Sequence, residues 1–248
     1  MRRTVLALIS LGVAAFLFWR LRIMWRDTQE AHASRYRLDN AEMPPAEDIP
    51  DSLRQPQPQA SVIERPIQPD SDQQHYDDGT GPLFHRRYSI AFEHPEHYRE
   101  DLMDYIRHQL PEFAPALLAK FEKRGDNESQ MQIDDEYDIK ILGPWNGVIR
   151  VADVKPTSFA LVTLNGHPEA GEICFSIEPY HEADNQSYFS IESLARSRDS
   201  LVSILYREAG IGLEVQRQTW VTFCERVADF GGNALGEVEV LTEELSDD

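Results

Sequence analysis

From residue 83 onward the spacing of hydrophobic and polar positions changes period several times, and each change marks an element. "FHRRYSIAFE" (84–93) alternates, which predicts a first strand. Leu102, Tyr105, Ile106 and Gln109 then follow helical spacing, as do Phe113, Leu117, Leu118 and Phe121. Pro111 and Pro115 divide this run into two short helices, because an interior proline removes a backbone donor, and Gly125 is placed to end the second. Five β-rich runs follow at 130–141, 148–154, 158–164, 172–178 and 187–195, bounded by Gly, Pro, Asn or Asp, and predict an antiparallel meander. In the fourth run Ile173, Phe175 and Ile177 face one way, and Glu172, Cys174, Ser176 and Glu178 the other. Last, Leu201, Ile204, Leu205, Ile211, Val215, Thr219, Phe223, Val227 and Phe230 form one stripe, predicting a helix over 199–230 that is ~48 Å long at 1.5 Å per residue. Gly210 and Gly212 are candidate kinks. "GGNALG" is expected to terminate the helix, and 237–248 to form a loose acidic tail.

The first 82 residues read differently. Thr4 to Trp19 is an uncharged, mostly apolar run, shorter than the roughly 20 residues that cover a bilayer core. Arg20 and Arg22 can snorkel and Trp19 and Trp25 can sit at the interface, so residues 1–26 are expected to be a single transmembrane anchor. A cleaved signal peptide is the alternative, but "RLRIMWR" supplies no small-residue cleavage site. The arginines directly after the span outnumber those before it, which favours a cytoplasmic body. Residues 27–82 are poor in apolar side chains and rich in Pro, Gln and Asp, and are expected to be a disordered linker. The expected globular domain is 83–236.

Charge narrows the function. The chain of 248 residues has a formal net charge of -19. Residues 1–37 hold seven of the 24 basic residues and two of the 43 acidic ones, so the remainder carries 17 against 41. A surface this acidic repels phosphate backbones, and nucleic acid is not an expected partner. Two cysteines, Cys174 and Cys224, make no disulfide framework, and nothing in their spacing or that of the histidines suggests a metal or another cofactor.

Strand, two short helices, several antiparallel strands and one long C-terminal helix make an α+β chain. A curved antiparallel sheet with the helix across its concave face satisfies that order. The arrangement resembles the helix-grip fold of the START and Bet v 1-like proteins, in which a cavity between sheet and helix commonly takes apolar ligands. One motif is more specific. "TLNGHPEAGEICFSI" closely resembles the central motif of the DUF1990 family, uncharacterised bacterial and plant domains, through Thr163, Leu164, Gly166, His167, Pro168, Glu169, Gly171, Glu172 and Phe175. "YFSIESLARSRD", through Ser197 and Arg198, is similar to the strand that follows in that family, and the resemblance covers about 137–230. It implies the fold and no activity.

The motif also holds the candidate chemistry. His167, Glu169 and Glu172 lie within six residues. Pro168 and the glycines exclude a helical ligand pair, so a metal would need the loop to converge. Acid–base catalysis would need a pocket beside His167 and Glu169, and no activated serine or phosphate-binding loop accompanies them. The plain structural alternative is a hairpin connection, with Asn165-Gly166 as the turn and a carboxylate paired to an arginine such as Arg196. Trp145 and Trp220 read as packing residues, and Arg196 and Arg198 as solvated charges or part of a cavity rim. Phe159, Leu161, Ile173, Phe175, Phe189, Ile191, Leu205, Val215 and Phe223 are candidates for core or cavity wall.

The leading expectation is a membrane-anchored domain that binds a small apolar molecule or lipid, with His167, Glu169, Glu172, Phe175, Arg196 and Phe223 as candidate ligand contacts. The alternatives are a protein-interaction scaffold, whose protein partner the sequence does not name, and a hydrolase-like enzyme using His167 and Glu169.

Overall fold

A computed structural model of the protein describes residues 72–94, 98–116, 119–125, 129–141, 146–180, 185–199 and 211–245. The expected anchor, most of the linker, Trp145, Leu205 and the first part of the expected long helix lie outside the described residues. Among the described residues no helix is long and apolar enough to cross a membrane.

The chain enters through a short 3-10 turn, Tyr76–Asp78, and runs into β1 (Thr80–Glu93). Helices α1 (Arg99–His108) and α2 (Leu110–Phe113) follow. Then come β2 (Ala119–Lys123), β3 (Glu136–Ile141), β4 (Asn146–Lys155), β5 (Ser158–Thr163), β6 (Glu169–Pro179) and β7 (Gln186–Ser197). Helix α3 (Ile211–Gly231) and the strands β8 (Asn233–Ala234) and β9 (Glu239–Leu245) complete the order. The nine strands form one sheet in the order β2-β3-β4-β5-β6-β7-β1-β8, with β9 also paired to β1. Every pairing is antiparallel. β1 is thus far from its sequence neighbour β2, as a helix-grip topology requires.

Alternation decides which face each strand buries. On the inner face lie Tyr88, Ile90 and Phe92 of β1, Phe121 of β2, Tyr137 and Ile139 of β3, Ile149 and Val151 of β4, Phe159 and Leu161 of β5, Phe175 and Ile177 of β6, and Phe189 and Ile191 of β7. These pack on Phe223, Cys224, Val227 and Ala228 of α3. The sheet curls around the helix. β2 and β6 are four strands apart, about 19 Å on a flat sheet, yet Phe121 and Phe175 both reach the Trp220 ring, at 6.4 and 5.7 Å between centroids. Leu102, Met103, Ile106 and Leu110 close one end of the core, and Arg226 of α3 donates to the carbonyls of Glu112 and Ala114.

The strand meander, the two short helices after β1 and the helix across the sheet agree with the sequence reading. Four expectations need correction. Phe121 belongs to β2 and not to a second helix, because it pairs with Ile139 and Gly125 follows a strand. The acidic end is not loose: Glu239–Leu245 pairs with Leu83–Ser89 and extends the sheet. Order begins before residue 83, since Gln73 bridges Leu164 and Gln74 is buried. Phe230 is 46% exposed and stacks on Tyr105 at 4.3 Å rather than entering the core.

Candidate functional site

The β5–β6 hairpin carries the motif. Gly166 sits at φ 97°, a left-handed conformation that glycine adopts without a Cβ penalty, so the Asn165-Gly166 turn forms as its sequence predicts. The hairpin is not closed by its own strands alone. Strand pairing stops at Val162 and Glu172, and Gln74 enters between the two strands there. Its N–H donates to the Thr163 carbonyl at 2.8 Å, and its carbonyl accepts from Gly171 N–H at 3.1 Å. Its side-chain Nε2 donates to the carbonyls of His167 and Glu169, and its Oε1 accepts from Gly166 N–H. Arg198 braces the other side, donating from Nη1 to the Gly166 carbonyl at 2.7 Å and from its N–H to the Pro168 carbonyl.

Within this frame the three motif groups point to different places. His167 is buried against Gly147, where a Cβ would overlap its ring. Its Nδ1 lies 2.9 Å from the Glu169 carbonyl and 3.1 Å from the Glu169 N–H, so it bonds the backbone of that residue and not its carboxylate. Burial lowers the His167 pKa, which keeps the ring neutral at physiological pH. Glu169 begins β6 on the same face as Ile173, Phe175 and Ile177. Its carboxylate reaches inward, accepting from Gln216 Nε2 of α3 at 2.7 Å and lying 3.4 Å from Arg86 Nη1 of β1. Glu172 is buried on the outer face near Tyr76, whose hydroxyl pKa is raised chiefly by burial and further by the Asp77 and Glu172 charges, with Arg196 opposing. A joint His–Glu–Glu centre is therefore not formed, and among the described residues no three such side chains gather as a metal site.

The other candidates also separate. Phe175 and Phe223 are fully buried. Phe175 stacks on Phe159 at 4.5 Å, and Phe223 on Phe189 at 5.8 Å, so both are packed core and not an open cavity wall. Arg196 lies opposite Ala170 on the outer face, against the turn at Gly79, and so is not on the rim of the inner face.

The polar end of the inner face is where the sheet and helix meet less tightly. Ile173 lies at the centre of β6, opposite Leu161 and Ser193, yet it is only partly buried. Ser193 and, beyond it, Arg86 continue its row across the sheet, the Arg86 guanidinium lying 4.7 Å over the Phe84 ring; on α3, Gln216 bonds Glu169 and the Trp220 ring stands 5.7 Å from Phe175. Tyr88, the next inner residue of β1, has its hydroxyl pKa pushed up to about 12, chiefly by burial, with opposing fields from Arg86 and Glu169. Sequence reasoning missed Arg86, Ser193 and Gln216. The first had a signal: Arg86 interrupts the apolar face formed by Phe84, Tyr88, Ile90 and Phe92, and a charge on a core face needs a buried partner.

Residues 107–225 match the family model for DUF1990, a domain of unknown function. This stretch is a DUF1990 domain. The match begins about thirty residues before the stretch expected from the motif, and so takes in the end of α1, all of α2 and β2. No curated protein matches the sequence. Among solved structures, norcoclaurine synthase from Thalictrum flavum, in complex with dopamine and hydroxybenzaldehyde, is similar at 11% identity over 61% of this chain and 94% of its own, with a TM-score of 0.41. A protein from Thermobifida fusca solved by NMR is similar at 12% identity over 60% and 96%, with a TM-score of 0.41. The di-domain ARO/CYC StfQ from the steffimycin biosynthetic pathway is similar at 10% identity over 63% and 52%, with a TM-score of 0.42. The helix-grip assignment of the DUF1990 domain rests on its own strand order and on the helix that the sheet encloses.

Proposed function

We propose that the DUF1990 domain binds a small, largely apolar molecule between its sheet and α3, at the end marked by the Glu169–Gln216 contact, and that residues 1–26 hold it at the cytoplasmic face of a membrane. The observation that carries the first part is Ile173. A residue at the centre of a sheet's core face, with Leu161 and Ser193 buried on either side, is expected to be fully covered by the helix, and it is not. The remaining inner face is closed by stacked rings, so a ligand would enter at Ile173 rather than run the length of the helix. The acidic chain disfavours a polyanionic ligand.

Organic extraction of the purified full chain followed by mass spectrometry tests this. A co-purifying small molecule is expected, and Ile173→Trp, which fills the opening, is expected to lose it while its circular dichroism stays unchanged. Extracts without any small molecule, together with one dominant protein crosslink in cells, would replace this reading by a scaffold. The anchor is tested separately. The full chain is expected in the membrane fraction and a chain lacking residues 1–26 in the soluble fraction; equal partitioning of the two would remove the anchor from the proposal.

A further inference from the structure

The outer face of the sheet changes character across β4. On β2 and β3 it is an open, ion-paired surface: Lys120 and Lys140 both reach Glu122, and the two lysine side chains are 55% and 59% exposed. On β5, β6 and β7 the same face is apolar and covered. Leu83, Ala160, Val162 and Leu194 form a cluster separate from the core, and Leu194 is 1% exposed. The solvated face of an antiparallel sheet carries polar side chains, so this half of the face has a cover. The turn Tyr76–Asp78 supplies part of it: Tyr76 packs on the cluster, and Gly79 lies against Ala170 and Arg196. Cys174 is four residues along β6 from Ala170, about 13 Å. It pairs with Ala160, which is 3% exposed, and Asp153, beyond Ala160 in the register, is buried too. These residues lie past the reach of the turn.

We infer that this outer face is the docking site for a segment of the same chain, "ASVIERPI" (60–67), which crosses it as an extended strap. The segment lies outside the described residues, and where the described chain starts fixes its reach. The Asp72 carbonyl accepts from Asn165 N–H at the tip of the β5–β6 hairpin. Ile67 is five residues upstream of Asp72, and five extended residues span ~17 Å, enough to return from Asn165 to Ala160. The side-chain pattern fits a sheet face. In an extended chain Ile63, Arg65 and Ile67 share one side, and with Val62 the two isoleucines are the last large aliphatic residues before Asp72. Pro66 favours an extended backbone and has no N–H to leave unpaired, which suits a strap over a face with no ladder to join. The charge fits as well. Arg65 is the only lysine or arginine between Arg54 and Arg86, and the buried carboxylates Asp153 and Glu172 stand beside Ala160 and Val162. The strap is independent of the small-molecule reading, which concerns the opposite face of the sheet.

Cysteine labelling in the full chain tests the strap, with Cys174 reporting on the outer face and Cys224 on the core. Ile63→Asp together with Ile67→Asp is expected to speed native iodoacetamide labelling of Cys174 by about tenfold, the effect of losing one isoleucine from the cover, while Cys224 stays unlabelled. Unchanged labelling of Cys174 would overturn the inference. A nitroxide on Ser61→Cys, the native thiols being buried, gives a second reading. It is expected to broaden the Val162 and Cys174 amide signals of the 15N-labelled full chain in detergent micelles. Broadening seen only when spin-labelled and 15N-labelled copies are mixed would assign the cover to a second copy of the chain. No broadening, with Cys174 opened instead by Leu201→Asp, would assign it to residues 200–210. Either result would overturn the strap. Should the double aspartate variant label at both cysteines, and so be unfolded, the nitroxide result decides alone.

Discussion

Gln216 Nε2 donates to Glu169 Oε2 at 2.7 Å, and with that one bond the C-terminal helix is joined to the start of the motif's second strand. The two residues are 47 positions apart in the chain. The contact gives Glu169 a role that its neighbour His167 does not share. Glu169 faces the helix, and His167 only orients the loop through the Glu169 backbone.

Gln74→Ala is expected to destabilise the domain by about 2–4 kcal/mol, because three side-chain hydrogen bonds in a largely buried setting are lost together. The urea midpoint measures it. Asp77→Ala, an exposed change three residues on, is the control and is expected to stay within about 0.5 kcal/mol. Equal effects from the two would show that Gln74 does not hold the hairpin.

How far the sequence carried depends on how local each signal was. The alternation in "EICFSIE" placed Phe175 and Ile177 on one face, which the packing of α3 then makes the core face, and Asn165-Gly166 placed the turn, because alternation and turn are decided within a few residues. Phe121 was misread because its spacing from Phe113, Leu117 and Leu118 fits a helix, and only the pairing with Ile139 makes it a strand. The acidic end was misread because its charge suggested solvation, while His85 and Leu83 on β1 gave it a place to pair. Gln74 left no local signal at all: it sits in a polar run, and its partners are more than 85 residues away.

His85 makes the stability of β9 depend on pH. Its ring is 2% exposed, with Nε2 2.6 Å from Glu192 of β7 and Nδ1 3.6 Å from Glu243 of β9; Arg87 on its own strand bonds Glu192 at 3.0 Å. The Glu192 hydrogen bond raises the His85 pKa against the opposing effect of burial. A raised histidine stabilises the fold fully below its unfolded pKa of about 6.5, and that contribution is lost as pH rises through the higher folded value. Thermal unfolding from pH 5.5 to 9 is expected to show a decline on the alkaline side, with amide exchange in Glu239–Leu245 accelerating first. His85→Gln should flatten the decline; an unchanged profile would remove His85 as its cause. Burial alone would raise Glu192, but the bonds from His85 and Arg87 hold it below the ordinary range, so its contribution is present above about pH 4.5 and lost as pH falls through the lower folded value.

Phe175→Ala is expected to cost about 3–5 kcal/mol and Phe175→Leu about 1–2 kcal/mol, read by urea unfolding, since the ring is enclosed by Phe159, Trp220 and Phe223. The leucine variant should still carry whatever molecule the unmodified chain carries. Loss of that molecule in a folded Phe175→Leu protein would return Phe175 to the ligand wall.

Neither cysteine is expected to react in the native protein. Burial pushes the Cys174 thiol up to about 12 and raises Cys224 as well, so the thiolate is scarce for both near neutral pH. Iodoacetamide at pH 8 should label both only after denaturant is added. Prompt native labelling at Cys174 would show that the outer face opens there.

The insertion of Gln74 between β5 and β6 also has a mechanical side. The backbone hydrogen bonds from Asp72 and Gln74 run to Thr163, Asn165 and Gly171, and β1 begins only at Thr80. Traction on the chain upstream of Asp72 would therefore load the Thr163–Gly171 hairpin before it reached the long β1 ladder, and the most family-specific stretch of the protein doubles as its strain relief.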